Sequence, residues 1–410
     1  MTDMCFVAVP HPLGMIPAEE VKAKIDKAFP EIVDAATKWQ PNANVQIVQE
    51  KPYPARHTKF KGDYAALNKA FQTRKWSLGL PIIPPTQEAV AAMLKGTKRS
   101  PSEVVWVVPP RQGMLTVELV AALGVMAGAQ PEDMPLLLAT VEAFKNPDAS
   151  WRGTSTTTAA TNPIIIISGP IIEKRGLNAG TGTCGPENPT TNALGYFINL
   201  VGDVVGGSVP PDMDKSTHGT TADFVAFVYS ENVKANPWKK TFAEEQGFSR
   251  EDNVVTVMNA YPSGANIDHW SATGSQLLDT LAVGAAGAAS GIGACMDDFT
   301  GKPQDNFGAL PYVLLVLGPE HAQLIASEFP EKQAAKEYLQ KNTARPYYGY
   351  APTMCPQPKD GPKYERNTLV PRFKKADSFF ILVSGGPGKQ SQIWAPFPQV
   401  LRPVSVKIQE

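Results

Sequence analysis

The stretch that decides the fold is residues 162–192, NPIIIISGPIIEKRGLNAGTGTCGPENPTTN. Its first part, 163–167, is a continuous apolar, β-branched run, which is typical of a strand buried on both faces. A loop with four glycines between Gly176 and Gly185 follows, and an amphipathic segment begins near Asn188. Because a helix start presents free N–H groups and partial positive charge, this order predicts an anion-binding loop and a lowered pKa for its thiol, Cys184. The alternative is a tight turn around an inert buried cysteine.

Length, charge and cysteine usage narrow the class of protein. A chain of 410 residues with 43% apolar residues predicts two or three domains with a large core. A net charge of −1, without a basic patch, argues against a nucleic-acid partner. The four cysteines form no CxxC pair, which predicts neither a disulfide framework nor a structural zinc site and favours a cytoplasmic location.

No membrane segment is expected. The N-terminus lacks the basic and apolar regions of a signal peptide. The longest apolar tract, 281–295, is short and rich in alanine and glycine, which predicts a core helix more than a membrane span.

Strands that end in Gly/Pro turns recur after residues 108, 167, 317 and 383, and helical segments alternate with them. This predicts an α/β fold with mixed, partly parallel sheets and helices on both faces. We expect two α/β lobes, 63–222 and 223–410, behind an N-terminal segment and linker, 1–62, in which Pro30 kinks or divides the first helix. Ligands gather beyond the carboxyl ends of such strands, so the four loops should converge on one pocket unless they belong to separate sheets.

Four residues are candidates for catalysis. Cys184 is the candidate nucleophile, because it lies among glycines that let a substrate approach closely. His218, in a polar loop, and His321, in the first turn of a predicted helix, could act as its general base. Glu231 follows a strand and could donate or accept a proton. The alternative for each histidine is a surface or capping role.

The candidate substrate-binding residues carry positive charge or lie at the glycine loop. Arg111 follows a strand and could clamp a carboxylate. The segment SGGPGKQS, 384–391, lacks the Walker spacing because residue 383 is valine, but its backbone could still form an anion-binding nest. A turn with an exposed lysine is the alternative there. The full set is Arg111, Asn178, Gly182, Asn188, Thr190, Thr191, Lys389 and Ser391. No cofactor is predicted, and a metal would need ligands from distant loops, since no HxxxH or HxH pair exists.

Several motifs together resemble long bacterial proteins grouped with the UGSC family of (seleno)proteins. These motifs are WSLGLPIIPPT (76–86), VVWVVPPRQG (104–113), residues 162–192, VLLVLGPEHA (313–322) and SGGPGKQS (384–391), and the resemblance covers residues 63–410. Residues 9–39 look like the C-terminal tail of the small UGSC domain, without the redox-active motif that precedes it in that family.

The resemblance implies thiol-dependent chemistry on a small molecule. We therefore expect an enzyme acting on a small anionic substrate, as a lyase, hydrolase or oxidoreductase. The alternative is a non-catalytic binding or scaffold subunit of a hetero-oligomer in which a small UGSC-type subunit carries the reactive thiol.

Overall fold

The computed structural model describes residues 5, 7–10, 16–40, 57–210, 213–214, 217–261, 264–288, 312–351, 355, 357, 361–373, 375–395, 397 and 402–409. Internal contacts divide the chain into two units, Met1–Pro54 and Ala55–Glu410. The division lies close to the predicted end of the N-terminal segment at residue 62. The predicted boundary between lobes at residues 222 and 223 stays a prediction.

The described helices are α1 (Ala18–Lys38), α2 (Tyr64–Thr73), α3 (Gln87–Leu94), α4 (Val117–Ala127), α5 (Met134–Lys145), α6 (Trp151–Thr154), α7 (Ile171–Lys174), α8 (Pro189–Leu200), α9 (Phe242–Glu245), α10 (Gly274–Gly287), α11 (Pro319–Glu328) and α12 (Lys332–Asn342). The described strands are β1 (Val104–Val108), β2 (Gly113–Thr116), β3 (Asn162–Ser168), β4 (Phe227–Ser230), β5 (Val254–Ala260), β6 (Gly264–Ile267), β7 (Val313–Leu317), β8 (Ala344–Pro346), β9 (Leu369–Pro371), β10 (Phe379–Val383), β11 (Gln390–Trp394) and β12 (Val404–Lys407).

Helix α1 is the main element of the first unit. It continues through Pro30, so the predicted division of this helix is wrong. A proline removes only its own N–H from the helical ladder, and the flanking Ala, Glu and Lys residues favour the helix. The apolar side chains Ile25, Phe29 and Val33 recur every four residues along α1 and are exposed.

Two mixed four-stranded sheets form the centre of the second unit. The first has the order β12-β5-β3-β4, with β3 parallel to β4 and antiparallel to β5. The second has the order β10-β7-β11-β6, with β10 parallel to β7 and β11 antiparallel to both its neighbours. The pairs β1-β2 and β8-β9 form separate two-stranded sheets. The predicted α/β fold with mixed, partly parallel sheets is therefore confirmed.

Strand β3 is buried on both faces, as its apolar run predicts. Ile165 and Ile167 pack into a core shared with α4, α5 and α8. Ile164 and Ile166 pack on the other face, against residues of the second sheet such as Leu314. Each fully buried isoleucine stabilises the fold by about 1.5–3 kcal/mol. The two sheets therefore lie face to face.

Helices cover the outer face of each sheet. Residues of α10, α11 and α12 pack with β7, β10 and β11 in a core of their own. The layers follow the order helices, first sheet, second sheet, helices. In the described residues, the other face of each sheet packs mainly against the other sheet. This inter-sheet layer determines the environment of the candidate site.

Candidate functional site at the carboxyl ends of β3 and β4

Three strand-end loops meet at one end of the two sheets. The loop after β10 bonds to the end of β7, where the Ser384 N–H donates to Leu317 O (3.1 Å). It also bonds to the glycine loop after β3, where the Gly385 N–H donates to Ala179 O (2.9 Å). The loops after residues 167, 317 and 383 therefore lie next to one another, and their predicted convergence on one pocket stays a prediction. The loop after residue 108 does not join them, because β1 belongs to a separate sheet.

The contact between two of these loops requires glycine. A Cβ added to Gly386 would lie 2.1 Å from Oγ1 of Thr181 and 2.8 Å from its Cα. Gly182, in the same loop, has a φ of +73°, a conformation that non-glycine residues rarely adopt. The glycines of both loops therefore allow the backbones to approach closely.

Strand β4 ends in this region with Glu231. The Glu231 N–H donates to Ile167 O (2.9 Å), which continues the parallel ladder with β3. Because paired residues of parallel strands point to the same face, Glu231 and Ser168 both face the inter-sheet layer. Ser230 faces the helix-covered side, and its carbonyl accepts a hydrogen bond from the Ser384 hydroxyl (2.7 Å).

Glu231 is 3% exposed and only partly hydrogen-bonded. Its Oε1 accepts a hydrogen bond from the Phe242 N–H at the start of α9. Burial raises the pKa of Glu231, although the Phe242 N–H, the nearby Ser168 hydroxyl and the Lys332 ammonium partly oppose this. Among the described residues, neither Glu231 Oε2 nor Ser168 Oγ has a hydrogen-bond partner of good geometry. Such unsatisfied buried atoms are rare in native proteins and indicate a position for water or ligand.

Cys184 lies on the same side of β4 and packs against the apolar inter-sheet layer. Burial raises the pKa of the Cys184 thiol to about 11, and a backbone hydrogen bond from Val228 opposes this only in part. The predicted lowering of this pKa by the helix start is therefore wrong. The Asn188 side chain does not cap α8, since its Nδ2 donates to three carbonyls of the glycine loop, including Gly182 O (2.9 Å).

Tyr229 adds a third protonated group to this layer. Burial raises its pKa well above the usual value, and the negative charge that Cys184 would carry raises it further. Its hydroxyl accepts a hydrogen bond from Trp394 Nε1 (3.1 Å) and is bonded to the Gln392 side chain. The thiol, the phenol and the Glu231 carboxyl all hold their protons more strongly than exposed groups do.

The other predicted residues of the glycine loop mainly stabilise that loop. Asn178 Oδ1 accepts a hydrogen bond from the Gly180 N–H (2.9 Å), and its Nδ2 donates to Thr181 O (2.8 Å). The Thr191 hydroxyl donates to Asn188 O (3.2 Å), while Thr190 is half-buried.

His321 of α11 lies beside the start of β11, close to Ser391 and Lys389. His321 Nδ1 bonds to the Ser391 hydroxyl (2.8 Å), and its Nε2 bonds to Asp268 O (3.0 Å). Burial lowers the pKa of His321. A serine bonded to a histidine occurs in hydrolases, but His321 is 0% and Ser391 4% exposed, and both ring nitrogens are bonded within the protein. Lys389 Nζ is close to His269 O (3.4 Å).

Arg111 and His218 lie apart from the strand-end cluster. The Arg111 N–H donates to Gly206 O (2.8 Å), after α8, and its side chain packs over Gly207. His218 is exposed, in the loop that precedes β4. The predicted site residues thus fall into three groups, of which only one includes Cys184 and Glu231.

Ser168 and Tyr229 are site residues that the sequence reasoning missed. Ser168 directly follows the isoleucine run, and a polar residue at the carboxyl end of a buried strand is a signal that could have identified it. Tyr229 lies two residues before Glu231, so the alternation along β4 places both on one face.

The cysteines differ from the predicted pattern. Cys5 and Cys184 are free thiols, whereas Cys355 is disulfide-bonded, which the sequence did not predict. Cys295 lies outside the described residues. No group of three or more His, Cys, Asp or Glu side chains suited to a metal occurs within the described ranges.

No family model, curated protein or solved structure matches this chain. None of the described helices is both long and apolar enough to span a membrane. The assignment of a function therefore depends on the geometry of the chain itself.

Proposed function

We propose that this protein is an enzyme that acts on a small carboxylate-bearing substrate at the strand-end cluster of Ser168, Cys184, Tyr229 and Glu231. The observation that carries the proposal is Glu231. It is a buried carboxyl group with a raised pKa, and neither its Oε2 nor the neighbouring Ser168 hydroxyl forms a hydrogen bond of good geometry among the described residues. A buried carboxyl group with a raised pKa, at a place where strand-end loops meet, is suited to act as a catalytic acid.

Proton donation is the chemistry that this cluster supports best. A carboxyl whose pKa burial raises, and a thiol with a pKa of about 11, can donate a hydrogen bond, and the carboxyl a proton, to a substrate that becomes more negative in the transition state. In this scheme Glu231 transfers the proton, and the protonated Cys184 thiol stabilises the developing anion. Among lyase, hydrolase and oxidoreductase reactions, a lyase reaction through a carbanion or enolate depends most directly on such donors.

Access to the cluster is proposed through the glycine loop. Cys184 is only half-buried, whereas Ser168 and Glu231 are fully buried, so the thiol is the first of these groups that a substrate meets. The N–H groups at the start of α8 add partial positive charge beside this entrance.

A second candidate function is a binding subunit of a hetero-oligomer. The raised pKa of Cys184 favours it, because a thiol protonated at neutral pH is a weak nucleophile. The exposed apolar side chains of α1 also favour it, because a stripe at helical spacing suits a partner helix or groove. In this alternative the reactive thiol belongs to a small UGSC-type subunit.

The experiment is a screen of small carboxylic acids with the purified chain, followed by mass spectrometry of the products. Glu231→Gln should lower kcat by about 10²–10⁴-fold, because it removes the transferable proton while keeping the shape. Ser230→Ala is the matched control, since its hydroxyl faces the opposite side of the sheet and turnover should be kept. Full turnover by Glu231→Gln would refute the assignment. Carboxylates that protect Cys184 from alkylation without being converted would favour the binding subunit.

A cytoplasmic location remains part of the proposal. Disulfides such as that of Cys355 are rare in reducing compartments, so this bond bears directly on it. Thiol counting on protein from the native host, alkylated at lysis, tests the location. A reduced Cys355 would support the cytoplasmic location, and an intact disulfide would contradict it.

A further inference from the structure

A group of buried charges adjoins Glu231 through helix α9. Lys332 and Lys336 lie one turn apart on α12 and are 6% and 8% exposed. Their ammonium groups donate to Oε2 and Oε1 of Glu245, at the end of α9, over 2.7 Å and 2.8 Å. One carboxylate therefore serves two buried ammonium groups. The sequence reasoning assigned no role to these three residues.

The charges of Lys332, Lys336 and Glu245 do not balance by themselves. Two ammonium groups and one carboxylate leave one positive charge in excess. A buried ion without a counter-charge is strongly unfavourable, so a second acid close to the lysines stabilises them. Besides Glu245, the acid whose charge acts on Lys332 is Glu231, which is itself buried.

A short stretch of backbone, residues 240–242, connects the contacts of Lys332 with those of Glu231. Lys332 Nζ lies 3.5 Å from Lys240 O. The Phe242 N–H, two residues later, donates to Glu231 Oε1. Two residues of chain span at most about 7 Å. The ammonium and the carboxyl are therefore close enough for their charges to interact, since salt screens buried charges only weakly.

An aromatic ring also holds Lys332 in place. Its Nζ lies 5.3 Å from the centre of the Trp238 ring. Trp238 is 5% exposed, and its indole N–H donates to Phe329 O (3.0 Å). The face of a tryptophan ring attracts an ammonium group. Lys332 thus has a fixed carboxylate and a fixed ring as partners, which orients its charge.

Lys332 and Glu231 affect each other in the same sense. Burial raises the pKa of Glu231, and the Lys332 ammonium partly opposes this rise. Burial lowers the pKa of Lys332, and the charges of Glu245 and, to a smaller extent, of Glu231 oppose this fall. Each group therefore favours the charged form of the other.

We propose that Lys332 is a positioning residue of the strand-end cluster, whose ammonium group stabilises the carboxylate that Glu231 becomes when it donates its proton. This inference rests on the proposed function of Glu231 as an acid. In the transfer the carboxyl O–H bond breaks, its electron pair stays on Glu231, and the proton forms a bond to the carbanion or enolate of the substrate. Lys332 keeps its own proton and gains a second counter-charge. The four charges of Glu231, Glu245, Lys332 and Lys336 then sum to zero.

Carbon-13 NMR of the full chain with labelled glutamate carboxyl groups measures the titration of Glu231, and Glu231→Gln identifies its signal. In Lys332→Met the titration midpoint should rise by about one pH unit, because the opposing ammonium charge is lost. Lys336→Met is the matched control, since it removes a lysine from the same helix and the same carboxylate. It should leave the midpoint nearly unchanged. An unchanged midpoint in Lys332→Met, or equal shifts in both variants, would overturn the proposal.

A reciprocal measurement does not require Lys332→Met to fold. With labelled lysine side chains, the titration midpoint of Lys332 in Glu231→Gln should be lower than in the wild type, again by about one pH unit, because the second counter-charge is lost. An unchanged Lys332 midpoint would contradict the proposal.

Neither titration depends on turnover, so the two proposals fail separately. Loss of turnover in Glu231→Gln together with unchanged midpoints would reject only the role of Lys332. Shifted midpoints in a chain that converts no carboxylate would reject only the proposed reaction. With a substrate found, the alkaline limb of the kcat profile should move upward in Lys332→Met by the shift that NMR measures, because the protonated Glu231 is the active form. A limb that stays in place would count against Lys332.

Discussion

The pKa of Cys184 gives the most direct test of how the two sheets determine the chemistry of the site. Burial in the inter-sheet layer raises this pKa from 9.0 to about 11. At pH 7 the thiolate fraction is therefore about 10⁻⁴, compared with about 10⁻² for an unperturbed thiol. Because the thiolate is the species that reacts, alkylation of the folded protein should be about a hundredfold slower from ionisation alone.

Alkylation by iodoacetamide between pH 7 and pH 10.5, with peptide mass spectrometry, measures the effect. The rate at Cys184 should rise about tenfold per pH unit up to at least pH 10, because the thiol is still mostly protonated there. Limited access to the thiol would scale all the rates equally and leave the slope unchanged. The same peptide in urea is the control, since unfolding removes the burial. A rate that levels off below pH 9.5 in the folded protein would refute this account.

The same shift has a consequence for stability. A thiol whose pKa is raised on folding binds its proton more tightly in the native state. Its contribution is therefore fully present below the unfolded pKa, near 9, and is lost as the pH rises towards 11. The loss amounts to roughly 2–3 kcal/mol at most. Cys184→Ser should flatten the fall in unfolding free energy over this range, as urea titrations at pH 8 and pH 10.5 would show.

Four further substitutions, one of them a control, test other parts of the structure. A raised pKa means that the charged Glu231 carboxylate is unfavourable in the native state, so the wild type loses stability as the pH rises above about 4.5. The Glu231→Gln variant lacks this charge and should therefore gain stability relative to the wild type. Denaturation of both proteins at pH 5 and pH 8 measures the difference in unfolding free energy. Gly386→Ala should lower the unfolding free energy by about 1–3 kcal/mol, since its Cβ would collide with the glycine-loop backbone. Gly180→Ala, in that loop, should be nearly neutral because its Cβ meets only a side-chain atom at 3.6 Å. Glu245→Gln should lower the unfolding free energy by about 3 kcal/mol, because the buried lysines Lys332 and Lys336, 2.7 Å and 2.8 Å away, lose their counter-charge. The more exposed ion pair between Glu244 and Arg250 should contribute at most about 1 kcal/mol.

The sequence predicts elements well where local chemistry decides them. Strand β3 follows from its isoleucine run, and Thr116 caps α4 through a hydrogen bond to the Leu119 N–H (3.2 Å). Gly128 ends that helix with a φ of +90°. Each of these features depends on a few neighbouring residues, so it can be predicted from the local sequence alone.

Strands β6 and β11 show where this reasoning fails. The residues of β6 are mostly exposed, and β11 begins directly after a glycine-rich loop, so neither has a distinct apolar pattern. Strand β11 pairs with β7 and β6 pairs with β11, and these partners are distant in the sequence. The stacking of the two sheets is a long-range property of the same kind, because a run buried on both faces predicts burial without specifying what covers each face.

The stacking of the two sheets also explains why the predicted lowering of the Cys184 pKa is wrong, although Glu231 does lie at the end of a strand as predicted. A helix start lowers a thiol pKa only when the sulfur is near the free N–H groups and in a polar environment. Here the second sheet covers Cys184 and Glu231, so desolvation outweighs the local hydrogen bonds at both. At the carboxyl end of β3, acids that hold their protons more strongly because of burial can donate hydrogen bonds to an anion.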